Sequence, residues 1–147
     1  MNANVDGSYC YKDDEKNCKK YGRLYTYEAA SNVCPEGWEL PSMATVYLLW
    51  DKSDAGFETS NAYYLKSTTD WKDDNNGDDL FGFNAYPAGG YESGDFIDLS
   101  TSAYFWMQPN GNLKEVIWFR YTSDTFETVS REEKNAYSVR CVKSMNL

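Results

Sequence analysis

The chain contains no histidine. That removes the commonest general base, the commonest metal ligand, and every Ser–His or Cys–His nucleophilic device. Long apolar runs are missing as well. The longest, VYLLW and AYFWM, have five residues each, far short of the roughly 20 needed to span a bilayer. Positive charge is scarce: 14 Lys plus Arg stand against 23 Asp plus Glu, a formal net charge of −9. So acidic a surface repels phosphate backbones and anionic lipid, which argues against nucleic-acid partners and membrane insertion.

What is present is aromatic. Phe, Trp and Tyr make up 17% of 147 residues, with 13 tyrosines and 5 tryptophans, a content suited to half-buried strands and contact surfaces. The length fits one domain, expected over residues 10–147 behind a flexible N-terminal extension at 1–9. Cys10, Cys18, Cys34 and Cys141 form an even set. Their irregular gaps, unsupported by histidine, do not fit zinc. Two disulfides in an exported protein is the preferred reading, against four reduced buried cysteines in a cytosolic one. Three connectivities exist. Cys10 and Cys18 flank the polar loop YKDDEKN and are expected to close it, leaving Cys34 to bridge to Cys141. Met1 followed by NANVDGS reads as a new start on a trimmed mature domain, so export is inferred from the cysteines.

Along the chain, the first twenty residues are polar and turn-rich. GRLYTY (22–27) reads as a strand, and YEAASNVC (27–34) as a short helix with Tyr27, Ala30 and Cys34 on one face. CPEGWELPS (34–42) then sets two prolines and a glycine around Trp38. Ser42 is placed to cap a second helix, SMATVYLLWDK, whose apolar stripe is Val46, Leu49 and Trp50. From Ser53 to Gly94 the chain is loop-dominated, with six glycines and one proline, and is expected to be anchored by Trp71, Phe81, Phe83, Tyr86 and Tyr91. Three strand candidates follow: SAYFWMQ, KEVIWFRY and NAYSVRCVKS. In the last, Tyr137, Val139 and Cys141 share one face. Early helices followed by strands make an α+β pattern.

The ordered landmarks NCKKYGRLYTYEAA, CPEGWELPS, LKSTTDW, NNGDDLFGFNAYPAGGY, SAYFWM and YSVRCVK resemble the Fibrobacter succinogenes major paralogous domain, a family of exported bacterial domains. The resemblance runs from about Cys10 to Lys143. It implies a C-type-lectin-like fold with two short helices, a twisted, mostly antiparallel sheet and a long loop region, with Trp38 buried against the sheet. It brings no catalytic residues. Some relatives with this fold are targets of diversity-generating retroelements, which vary exposed residues near the C-terminus. The chain departs from the family at MQPNGN, where a serine-rich stretch is usual, and at AYSVRCV, where GFSVRCV is typical.

Gln108-Pro109-Asn110 is similar to the tripeptide with which sugar-binding C-type lectins hold calcium. Here the first position is neutral, and Trp118 is followed by Phe119 and Arg120. Such a site is undercharged for calcium, and a plain turn is the better reading. The acidic run offers Asp73, Asp74, Asp78 and Asp79, next to Asp70, as calcium ligands. It fails the EF-hand pattern, because Gly77 at the sixth position puts Lys72 at the first and Phe83 at the twelfth. Solvated charge with Asx-turns is favoured there, and calcium is the one cofactor left open.

On a strand, VIWFRY sends Val116, Trp118 and Arg120 to one face and Ile117, Phe119 and Tyr121 to the other. Either one face is an exposed interaction patch, or both are packed. Arg131 to Lys134 supply a charged rim or a solvated run. The expected ligand surface therefore comprises Tyr104, Trp106, Gln108, Asn110, Trp118, Arg120, Tyr121 and Arg131. Glu132 and Glu133 are adjacent and point oppositely on a strand, so they make no acid–base pair. Formylglycine-generating enzymes of this broad fold use a cysteine pair close in sequence, whereas only Cys141 lies near the end here. The sequence thus points to a non-enzymatic domain at a bacterial surface, binding a glycan or protein ligand. The alternative is a structural or adhesin module.

Overall fold

The computed structural model of the chain describes residues 1–53 and 62–144. The part of the loop-rich stretch at 54–61 lies outside the described residues. The architecture is α+β, with three helices and mostly antiparallel, curled sheets.

Its centre is the pairing of β6 (Ser102–Trp106) with β7 (Glu115–Arg120), extended on the far side of β7 by β8 (Glu127–Ser130). Every residue of β6 is buried, the signature of a strand covered on both faces. Ala103, Phe105, Met107, Ile117 and Phe119 enter one core with Val46, Leu65, Trp71, Phe83 and Phe126. Tyr104, Trp106 and Val116 enter a second with Tyr25, Ala30, Leu40, Tyr137 and Val139. The period-2 alternation of the sequence is thus spent on two cores, and both faces of VIWFRY reach a core, Trp118, Arg120 and Tyr121 only in part.

A helix covers each side. α2 (Tyr27–Val33) takes its N-cap from Thr26 and sets Ala30 in the second core, with Tyr27 and Cys34 packed beside it. α3 (Met43–Ser53) begins after Ser42, whose Oγ accepts from Thr45 N at 3.3 Å. It brings Val46, Leu49 and Trp50 to the first core. An unforeseen helix, α1 (Glu15–Tyr21), is capped by Asp14 and buries only Cys18. Three helices therefore replace the expected two.

The remaining strands are short. β1 (Ser8–Tyr9), β2 (Leu24–Thr26), β9 (Ala136–Tyr137), β4 (Gly90–Glu92) and β5 (Asp95–Ile97) form one sheet in that spatial order. Isolated parallel bridges, Phe105 to Ser138 and Gly89 to Ala103, join it to β6. β3 (Trp38–Glu39) pairs with β10 (Val142–Lys143). The predicted final strand is therefore interrupted between β9 and β10.

Two more expectations are corrected. Residues 1–9 are tied down along the domain. Arg23 N donates to Met1 O at 3.1 Å, the Tyr25 hydroxyl to Ala3 O at 2.8 Å, and Thr26 N to Gly7 O at 2.8 Å. Backbone groups beside β2 would otherwise lack partners. Trp38 is 47% exposed rather than buried, because the two-residue β3 has no layer over it. The disulfides are Cys10–Cys18 and Cys34–Cys141, as expected.

The long loop is ordered around Trp71, whose indole N–H lies 3.1 Å from both Ser67 Oγ and Ala85 O. Phe83 joins the first core, whereas Phe81 is exposed. Gly77 is required there, since a Cβ would collide with the Tyr63 and Lys66 carbonyls.

Candidate functional site

Alternation on β7 sets Trp118 and Arg120 on the face of the second core, at its outer end. There the core thins and both side chains are only partly buried. Register places Tyr104 of β6 and Glu127 of β8 on either side of Trp118. The Tyr104 and Trp118 rings are nearly parallel, 13° apart with centroids at 6.0 Å. Trp118 Nε1 donates to Ser102 Oγ at 3.1 Å.

Two guanidinium groups gather on this aromatic pair. Arg120 lies 4.5 Å from the Trp118 ring centroid, and Arg131, just beyond β8, lies 5.6 Å from Trp118 and 5.7 Å from Tyr104. These are cation–π distances. Carboxylates hold the arginines: Arg120 Nη2 donates to Glu127 Oε1, and Arg131 Nε sits 3.6 Å from Glu92 Oε1. Glu92 also accepts from the Tyr137 hydroxyl at 2.5 Å. Among the described residues only two buried side-chain polar atoms lack a hydrogen-bond partner, Glu115 Oε2 and Arg120 Nε.

The phenols of the cluster are neutral donors. Burial, and then the bond to Asp98 (2.6 Å), push Tyr104 up to about 12. Burial and the Glu92 bond raise Tyr137 further. The arrangement sets cations over an aromatic surface with acidic rims.

Of the eight expected ligand residues, four come together: Tyr104, Trp118, Arg120 and Arg131. The others are elsewhere engaged. Trp106 is fully buried and donates to Tyr25 O at 2.6 Å, so it is a core residue out of a ligand's reach. Gln108 ties strand to loop, its Nε2 donating to Leu40 O at 3.0 Å. Asn110 exchanges backbone hydrogen bonds with Leu113 in a tight turn. Tyr121 faces the first core, with Lys72 Nζ 5.2 Å from its ring centroid.

The acidic run does not converge. Asp73 and Asp74 occupy a 3-10 turn with positive φ. Asp78 accepts from Leu80 N, and Asp79 from Asn84 N. Among the described residues no group of three acidic, Cys or His side chains is placed to hold a metal. Glu92 and Glu127 escaped the sequence reading. Pairing FETVS with VIWFRY would have set Glu127 beside Trp118, whereas Glu92 comes from a distant strand and leaves no local signal.

Fold and site together define a small α+β domain, clipped by two disulfides, with an arginine-covered aromatic patch on its strands. The family model described as the Fibrobacter succinogenes major domain matches residues 1–143, and the chain belongs to that family. No curated protein and no solved structure matches it. The disulfides accord with an oxidising environment. No helix among the described residues is long and apolar enough to cross a membrane.

Proposed function

We propose that the chain is a non-enzymatic, C-type-lectin-like binding domain of an exported protein, displayed at a bacterial surface. Trp118, Arg120, Glu127 and Arg131 hold its ligand. Support for the fold reading comes from helices α2 and α3, the long Trp71-anchored loop, and the disulfide joining the end of α2 to the C-terminal segment.

The observation that carries the binding reading is the half-exposed indole of Trp118, covered by two cations. Trp and Arg dominate binding hot spots. A guanidinium already covers the ring that a sugar would stack on, so the ligand class favoured is protein. Arg131 to Lys134 form the exposed rim on which sequence variation would change specificity.

The test is a peptide-display selection on the oxidised domain, run beside a glycan array with calcium and with EDTA. Selected peptides should bind saturably, and Trp118→Ala should weaken them by about 30-fold, the ~2 kcal/mol of a hot spot. Unchanged peptide binding in a folded Trp118→Ala protein sinks the patch. Glycan binding sensitive to Trp118 would transfer the patch to sugars. Concentration-dependent self-association with no ligand would favour the adhesin module.

A further inference from the structure

A second feature shares no residue with the patch. A cavity of about 390 Å³ opens between the end of α1, β3, the loop at Asn84–Tyr86 and the segment leading into Cys141. Its volume lies in the range of small-molecule sites, roughly 300–1,000 Å³. Tyr21, Trp38 and Tyr86 supply aromatic wall, and Arg23 and Arg140 supply charge.

The charge is out of keeping with the rest of the molecule. In a chain of net charge −9, neither arginine forms an ion pair among the described residues. Arg23 is held by neutral acceptors: its Nε donates to Ser8 Oγ at 2.9 Å, and its Nη1 lies 3.4 and 3.5 Å from the Cys10 and Cys18 sulfurs. Arg140 spends one nitrogen, Nη2, on the carbonyls of Phe83 and Asn84, and its guanidinium lies 5.1 Å from the Phe83 ring centroid. Its Nε and Nη1 make no hydrogen bond to a described residue, and they are not among the atoms sealed from solvent. Burial works against its charge, yet an arginine keeps its proton in proteins. Asp79 supports that charge from beyond ion-pair distance, which leaves the remaining N–H groups of Arg140 open to an anion.

The wall specifies what accompanies that anion. Trp38, 47% exposed on its two-residue strand, lines the cavity. Tyr21 and Tyr86 stand edge to face, with centroids 6.1 Å apart. Aromatic faces of this kind hold the apolar side of a ring.

We propose that this cavity binds a small ring-bearing carboxylate, the chemistry of a hexuronic acid. The carboxylate bonds the free N–H groups of Arg140 in the field of Arg23, and the ring lies against Trp38. Planar guanidinium donors favour a carboxylate, which they can engage through two parallel bonds.

The experiment is an NMR titration of the oxidised protein with galacturonate, acetate and galactose, reading the Trp38 indole N–H and the Arg140 side-chain signals. Galacturonate should shift both saturably at concentrations up to about 50 mM, acetate should shift Arg140 alone, and galactose neither. Arg140→Gln should weaken galacturonate by about tenfold or more. Trp38→Ala, on an exposed strand, should weaken galacturonate by about fivefold and leave acetate unchanged. Equal response to galactose and galacturonate, full affinity in Arg140→Gln, or no shift at either residue overturns the proposal. Should Arg140→Gln fail to fold, because Nη2 holds the Phe83 loop, Trp38→Ala and the direct shifts decide alone.

Discussion

The two disulfides should differ in what they contribute, and the structure says by how much. Cys34–Cys141 closes a separation of 107 residues and Cys10–Cys18 one of 8. Restriction of the unfolded chain then gives about 4.8 kcal/mol for the long loop and about 2.5 kcal/mol for the short one. Packing acts the other way. Cys10 and Cys18 are buried at 6% and 2% exposure, whereas Cys34 and Cys141 are half-buried. Counting a buried sulfur as roughly one methylene adds ~1.6 kcal/mol for the short pair and ~0.8 kcal/mol for the long. The totals are about 5.6 against about 4.1 kcal/mol, and the first reaches the lower end of a typical domain's stability. Equilibrium unfolding in guanidinium of Cys34→Ala/Cys141→Ala and Cys10→Ala/Cys18→Ala measures both. The long-loop variant should be less stable by about 1–2 kcal/mol and show the larger rise in m-value, because its unfolded state expands more. If the short-loop variant costs as much or more, packing and not chain restriction governs these bridges.

Trp106→Phe should cost about 1–3 kcal/mol by removing the indole donor from the buried Tyr25 carbonyl, read by denaturant melts. An unchanged midpoint would return Trp106 to the list of surface residues. Lys66 is 2% exposed with its ammonium on the Ser123 carbonyl, and burial brings its pKa down to about 8, partly offset by Asp124. Above that value the folded chain sheds a proton that the unfolded chain keeps up to about 10.4, so this group's contribution to stability rises with pH from about 8. The stability of wild type relative to Lys66→Met should therefore increase between about pH 7 and 9.5, and parallel profiles would refute the assignment. Millimolar calcium against EDTA should leave Tm unchanged, since the loop carboxylates do not converge. A rise of more than about 3 °C would show a site that forms only with the ion.

Elements whose apolar residues carry a period were legible. α2 and α3 follow from Ala30, Val46, Leu49 and Trp50, and β6 and β7 from runs of aromatic and β-branched residues. The cysteine pairing followed from the polar loop between Cys10 and Cys18. α1 was hidden because EKNCKKY has no apolar stripe and leans on its disulfide and the Asp14 cap. β1 was hidden because its pairing with β2 uses backbone groups, which every residue supplies. Residue type alone put Trp118, Arg120 and Arg131, which come together, on a level with Trp106, which is buried. Both tryptophans face the second core. Only distance from its centre separates the buried indole from the half-exposed one, and depth is a property of the assembled molecule. Trp38 failed in the opposite sense: a large apolar residue was assumed to be inside, yet its strand is too short to be covered.

The bridge from Cys34 to Cys141 also has a mechanical meaning for a domain pulled by its two ends. Tension can shear β1 from β2 and draw out the residues after Cys141 and those before Cys34 that lie outside the Cys10–Cys18 loop, but the chain between Cys34 and Cys141 is bypassed by the covalent link. About 350 Å of contour, at ~3.3 Å for each of the 107 residues spanned, never enters the extension. Tyr104, Trp118, Arg120, Glu127 and Arg131 all lie inside that shunted loop. A tether under load would stretch its leading segment and leave those residues out of the line of force.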